Sequence, residues 1–282
     1  MRLPLALLAV IAAASLAGPL VAHVLGADLS AVDLLDRFGG PSAAHPLGTD
    51  ELGRDMLLRL LEGGRVSLAI GIAAAFAVAA FGTLIGLTAG YLGGWTDRLL
   101  MRFTDGVIAL PLLPLLIVLA ALDLGKIGVP HALADSPGIS LIRIIVLAVL
   151  VGWTTAARLV RGATLVTRRR DFVRAAQSLG AGVPHILWHH ILPNVMAPLV
   201  VATTLSVGDI ILLESVLSFL GLGVQPPLAS WGSMLSNAQE LITSSPLLAI
   251  YPGAMIFVTV IACNLVGDAL LQRSDPRETG RS

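Results

Sequence analysis

Residues 66–92 run for 27 positions without a charged side chain. At about 1.5 Å per residue this run exceeds the roughly 30 Å hydrocarbon core of a bilayer, so as a helix it crosses with tilt. The composition decides between a membrane span and a buried core helix. Of 282 residues, 56% are hydrophobic and 13% are charged, and mean hydropathy is +0.87. A soluble domain carries roughly 25% charge. The chain therefore reads as an all-α integral membrane protein. Its net charge is zero, so no global field points to nucleic acid. The single cysteine, Cys263, lies in an apolar run, which leaves no disulfide framework and no thiol metal site.

Five further apolar stretches flank this one. Residues 3–25 are too long for the ~7–15-residue core of a signal peptide and read as an uncleaved first span. Residues 99–122 form a third span that Pro111 and Pro114 should kink. Residues 141–159, 195–220 and 246–271 complete the set. Within 66–92, Gly82, Gly86 and Gly90 repeat at intervals of four and present a small-residue face for close helix packing. The polar region 27–65 holds seven acids and four arginines. Its segment after Thr49 reads as a surface helix, with Thr49 as N-cap, an Asp55–Arg59 pair one turn apart, and Gly63-Gly64 as its end. The chain thus divides into 1–65 (first span and external amphipathic segment), 66–271 (the span domain) and a tail, 272–282.

The segment 158–198 is of another kind. It carries six arginines between Arg158 and Arg174 and is amphipathic. Phe172, Ala175, Ala176 and Leu179 fall at i, i+3, i+4 and i+7, the spacing of one helical face. Gly180 and Gly182 break that helix, Pro184 opens a second, and Pro193 stops it. Two short helices around a glycine turn, held outside the bilayer by arginines, need something on which their apolar face can dock. An amphipathic helix lying on anionic lipid is the plainer reading of the same spacing.

The string from Arg174 to Asn194, RAAQSLGAGVPHILWHHILPN, resembles the cytoplasmic coupling loop of ATP-binding-cassette importer permeases, whose pattern is E-A-A-x-x-x-G followed further on by Leu-Pro. Ala175, Ala176, Gly180, Leu192 and Pro193 stand at the matching positions, and His190 to Asn194 resembles the peptide and nickel branch. Arg174 stands where the family usually carries Glu. Three more stretches resemble that family in order: Trp95, Asp97, Met101, Arg102 and Asp105; the run from Glu214 to Leu235; and Tyr251-Pro252-Gly253 with Asn264 to Asp268 and the tail Asp275-Pro276-Arg277. The resemblance implies a six-transmembrane-helix ABC type I importer permease with cytoplasmic coupling helices. It implies partners as well: a second homologous permease, two ATP-binding subunits that carry ATP and Mg²⁺, and an external substrate-binding protein. Residues 174–176, Leu179, Gly180, His190, Leu192 and Pro193 would then meet the ATPase. The 214–235 run, with Gly221, Gly223, Gln225, Pro226 and Trp231, would close the outer side of the pathway. Its substrates would be di- or oligopeptides, or nickel complexes.

The residues also speak without the family. Six spans leave both termini on one side, and counting Arg and Lys gives 12 on that side against six on the other. That bias puts the termini and the 158–174 arginines in the cytoplasm, and the resemblance implies that the membrane is the inner membrane of a bacterial cell. Asp97, Arg102 and Asp105 read as a salt-linked cytoplasmic turn between two spans. Asp209 and Glu214 are carboxylates inside an apolar span, candidates for a pathway or for a hydrogen-bonded contact between helices. A proton relay through them would make the chain an ion-driven carrier, but no internal repeat of the kind such folds use is visible. A membrane anchor without any pathway is the third class. No Walker A sequence is present, since the only lysine is Lys126, and no His/Cys ligand spacing or nucleophile–base set can be placed. The sequence commits the chain to no catalysis and no metal of its own.

Overall fold

The computed structural model describes residues 2–25, 32–128, 130, 136–238 and 245–274. Met1, His131 and the tail motif Asp275-Pro276-Arg277 lie outside the described residues. The chain runs as helices α1 (Arg2–Leu25), α2 (Met56–Leu92), α3 (Gly94–Ala109), α4 (Leu112–Ala120), α5 (Pro137–Thr167), α6 (Asp171–Ser178), α7 (Val183–Ile186), α8 (Leu192–Phe219) and α9 (Pro246–Ser274). No strand forms among the described residues, and an isolated bridge joins Thr49 to Asp55. Five helices are long and apolar enough to span a membrane, and α3 with α4 makes a sixth crossing if that pair counts as one. The pair is bent by 85°. The break falls at Leu110–Pro111, where proline lacks the N–H to continue the ladder and forces the residue before it into extended geometry. Pro114 sits in the first turn of α4, where it costs no hydrogen bond.

The expected surface helix before the second span does not end at Gly63-Gly64. It continues unbroken as the first turns of α2. Those glycines sit in the helix because Trp231 and Ser15 press against them and leave no space for a side chain. Asp55, not Thr49, caps α2, accepting from the Leu58 N–H at 2.9 Å. Asp55 also holds His45 at 2.9 Å, so Arg59 turns instead to Asp50, 3.1 Å away. Asp50 accepts as well from Leu52 N, Arg54 N and Arg54 Nε, which ties the polar segment 32–55 to the top of α2.

The most extensive helix pair is α2 against α5. The glycine repeat makes it close. A Cβ on Gly82 would stand 2.6 Å from Ala156 Cβ, one on Gly86 2.6 Å from the Ala157 carbonyl oxygen, and one on Gly90 2.7 Å from Thr164 Cβ. Backbones in such contact gain dispersion that lipid tails cannot supply. α8 then packs on α2 and α9 on α8. Ile70, Ala74, Val78, Ile144 and Ile210 fill the space where α2, α5 and α8 meet. Phe76, Leu84, Ile142 and Phe257 remain exposed on the outside of the bundle, as lipid requires.

Gly86→Leu is expected to force α2 from α5 and cost about 1–3 kcal/mol or more of packing. This would read as a lowered melting temperature of the purified chain. Gly162→Ala, on α5 with open space around it, should melt like wild type.

Candidate functional site

The basic segment after α5 folds as a short helix, a glycine turn and a return. α6 ends in a Schellman motif: Ala181 N–H bonds the Ala176 carbonyl and Gly180 N–H the Gln177 carbonyl, each at 3.0 Å. Gly180 adopts φ +81°, which a side chain resists. The return helix does not stop at Pro193. A π turn over Leu187–Ile191, with Leu192 N–H bonding the Leu187 carbonyl, joins α7 to α8. The helix therefore runs from Val183 to Phe219 without a gap. The wider turn gives the Pro193 ring room beside the preceding carbonyls, so the proline is absorbed rather than terminating.

The expected apolar face of α6 is divided. Val173, which lies outside the i, i+3, i+4, i+7 stripe, is fully buried with Ala176 against Ile186, Ile191, Val195, Leu87 and Val160. Phe172, Ala175 and Leu179 face outward, Leu179 at 89% exposure. The helix thus has one edge fixed to α2, α5 and α8 and another left free. Val183 and Trp188 extend the free apolar surface across the turn, and Phe172 sits 6.3 Å from the His190 ring. Arg174 and Pro193 are also exposed, while His190 and Leu192 are partly covered. Arg168 anchors the segment, donating to the Gly90 and Tyr91 carbonyls at 2.9 Å each.

The salt-linked turn forms with other partners than expected. Asp97 and Asp105 do not pair with Arg102, which is exposed and has no ion pair among the described residues. Each reaches across to α5. Arg161 grips Asp97 through two hydrogen bonds, Nη2 at 2.6 Å, and Arg158 meets Asp105 at 2.6 Å. The paired fork fixes α3 against α5 in angle as well as distance.

At the other end of α8 lies a second constellation. α8 closes on Gly221 (φ +76°) in the same motif as α6, with Leu222 N–H on the Leu217 carbonyl at 2.8 Å. The loop 221–238 then folds back into the bundle, where Ala229, Ser230 and Trp231 are completely enclosed. Glu214, 0% exposed, is what it folds onto. Its Oε1 accepts from Ser218 and Ser230 hydroxyls at 2.6 Å each, and its Oε2 from Ser67 at 3.3 Å. Ser67 in turn accepts the Trp231 N–H at 3.1 Å, and the Trp231 indole donates to the Leu60 carbonyl at 2.9 Å. One carboxylate joins α2, α8 and the loop. Gly223 lies over Ser218 with no room for a side chain, and Gln225 donates to the Gly221 and Gly223 carbonyls. Pro226 is exposed in the same loop. Asp209, five residues earlier, faces outward with no ion-pair partner among the described residues.

The structure keeps the expected coupling and gate residues at two separate places, with the Asp97 and Asp105 pairs apart from both and Asp209 joined to neither. Arg174 to Pro193 lie at one end of α8, and Glu214 to Trp231 at the other. Sequence reasoning missed Ser67, Ser230, Arg158 and Arg161 as partners. Ser218 stands one helical turn after Glu214 and was legible by spacing; the others come from distant segments and carry no local signal. Glu214→Ala should leave three enclosed hydroxyls without their acceptor, at about 1–3 kcal/mol for each group left unpaired. The expected readout is a lowered melting temperature with Trp231 emission shifted to the red. Ser230→Ala should show a smaller change in the same direction.

The arrangement has recorded counterparts. Residues 82–280 match the family model described as binding-protein-dependent transport system inner membrane component. The glutathione transport system permease protein GsiD of Pectobacterium atrosepticum is 40% identical over 226 residues, 80% of this chain and 70% of its own. The oligopeptide transport system permease protein OppC of Haemophilus influenzae is 38% identical over 226 residues, 80% of this chain and 68% of its own. A crystal structure of an amino acid ABC transporter with histidines aligns at a TM-score of 0.52 over 76% of this chain and 94% of that one. At 14% identity it bears on the fold alone. The chain belongs to the binding-protein-dependent transport system inner membrane components and is a permease subunit of an ABC importer.

Proposed function

We propose that the chain forms part of a membrane pathway for di- or oligopeptides, working by alternating access. In this reading it pairs with a second, related permease and rests on two ATPase subunits, which bind and hydrolyse ATP with Mg²⁺. An external binding protein delivers the cargo. Both termini and the 168–193 segment face the cytoplasm, in line with the 12-to-six bias of basic residues. The peptide assignment leans on relatives whose names refer to glutathione and oligopeptides.

One observation carries the mechanical part. α6 has a buried edge, Val173 and Ala176, and a free apolar edge, Phe172 and Leu179, beside exposed Val183 and Trp188. A surface that is apolar, on a segment that also carries exposed Arg169, Arg170 and Arg174, and packed against three spans suits a protein partner that pushes. Closure of the ATPases would move this surface, and α8 would carry the motion to the loop 221–238. Arg174 in place of the family's usual Glu presents positive charge to that partner. ATP hydrolysis elsewhere fits a chain whose own role is translocation rather than catalysis.

Leu179→Glu is expected to insert and melt like wild type, because the side chain touches little of its own chain, and yet to lose co-purification with the ATPase subunits and ATP-driven peptide uptake. Gly180→Asn, which keeps a residue tolerant of the left-handed conformation, should retain uptake, whereas Gly180→Trp should lose it. Normal uptake by both Leu179→Glu and Gly180→Trp would reject the coupling role. Uptake that survives without ATP and collapses with the proton gradient would move the chain to the ion-driven class.

A further inference from the structure

A chamber of about 520 Å³ opens between the end of α4, the first turns of α5 and the loop 221–238. That volume lies within the ~300–1,000 Å³ of small-ligand pockets. Ala120, Ala121, Leu122 and Ile139 line it, but more of its surface is polar than apolar. Two of the polar side chains that line it are occupied within the chain. Ser140 donates to the Pro137 carbonyl at 2.7 Å, and the Gln225 amide donates to the Gly221 and Gly223 carbonyls at 3.3 Å. Arg143 is different. One nitrogen, Nη2, donates to the Leu222 carbonyl at 3.3 Å. Its Nε is buried with no hydrogen-bond partner, and no carboxylate lies within ion-pair distance of it among the described residues.

A guanidinium offers five donors in a planar fork that fits a carboxylate through two parallel bonds. Here the Leu222 carbonyl steadies the fork at Nη2 and Nε is closed off, so the donors open to a solute in the chamber are those of the terminal nitrogens, where Nη1 has no hydrogen-bond partner among the described residues. The opposite sign of charge also lines the chamber: Asp123, exposed, with Oδ1 accepting the Gly125 N–H at 2.9 Å.

We propose that this chamber is a subsite for a small zwitterionic solute, its carboxylate held by Arg143 and its ammonium directed to the side of Asp123. The assignment rests on the pathway reading above and deepens it: it makes Arg143 a cargo-contacting residue within the permease, distinct from any recognition by the binding protein. The free terminal carboxylate of a short peptide is the group that fits.

The test uses the assembled transporter, purified in detergent without its binding protein and carrying Ala121→Cys on the chamber wall. Cys263 is buried in α9 and should label slowly. Maleimide labelling of the introduced cysteine is followed with alanyl-alanine or with its C-terminal amide. The free dipeptide should slow labelling about threefold at concentrations that fill roughly two thirds of the sites, and the amide should not. Arg143→Gln should shift the protecting concentration up roughly tenfold or more, as loss of a charged hydrogen bond does, while leaving the labelling rate without peptide unchanged. Arg143→Lys should keep part of the protection. Equal protection by acid and amide, protection that survives Arg143→Gln, or no protection by the free dipeptide would overturn the subsite. A complex that imports peptide but shows no protection overturns the subsite alone. A chain that brings down no ATPase overturns the importer reading and with it the chamber's place in a pathway.

Discussion

Close contact between α2 and α5 is the constraint on which the remaining structure depends. In a bilayer, apolar side chains gain nothing by leaving lipid for protein, so helices associate through fit and through buried polar pairs. Gly82, Gly86 and Gly90 let α2 lie directly on the backbone of α5. That fixes the pair, and each functional segment is then attached to it. Arg161 and Arg158 on α5 hold α3 through Asp97 and Asp105. Arg168, one residue beyond α5, bonds the carbonyls that end α2. Ser67 and Leu60 on α2 receive Trp231.

The polar contacts serve a different purpose from the helix packing. None of the helices needs them to exist, since each satisfies its own backbone. Apart from the two ion pairs that join α3 to α5, most of those described are spent on the segments that are not spans: the loop 221–238, the turn before α3, and the segment 32–55. Such segments expose backbone groups that would be costly inside a bundle unless bonded, and a buried carboxylate that accepts from three hydroxyls is a strong fixing point. The apolar edge of α6 then stands out as the one part of the basic segment that is rigidly held yet uncovered by its own chain.

Much of this was legible in the sequence, and the misses have physical causes. The spans followed from hydrophobic runs, and the small-residue face from glycine spacing. The basic segment with its glycine turn followed from helix periodicity and breakers. Gly63-Gly64 misled because glycine is a weak helix stop when tertiary packing wants a bare surface, here for Trp231. Pro193 misled because a π turn can absorb a proline, and nothing local announces that turn. The α6 stripe was drawn one residue out, which left Val173 unnoticed although it is the residue that fastens the helix. Asp97 and Asp105 were recognised as paired, but their partners lie on another helix, and a single sequence does not report which arginine arrives there. Glu214 was seen as costly, while the serines that settle it come from three parts of the chain.

The unbroken helix from Val183 to Phe219 has a mechanical consequence. From Trp188 to Glu214 it spans roughly 40 Å at 1.5 Å per residue, with the free apolar surface at one end and the carboxylate knot at the other. The π turn over Leu187–Ile191, with Pro193 and Pro198 beyond it, marks where along this length the helix can bend. Tilting or turning the part that holds Glu214 would carry Ser218 with it, whereas Ser67 on α2 and Ser230 on the loop would have to follow Glu214 or let go of it. The α3–α4 crossing is instead divided by an 85° elbow at Leu110–Pro111. The chain therefore sets a crossing that is continuous from end to end beside one that is divided at an elbow.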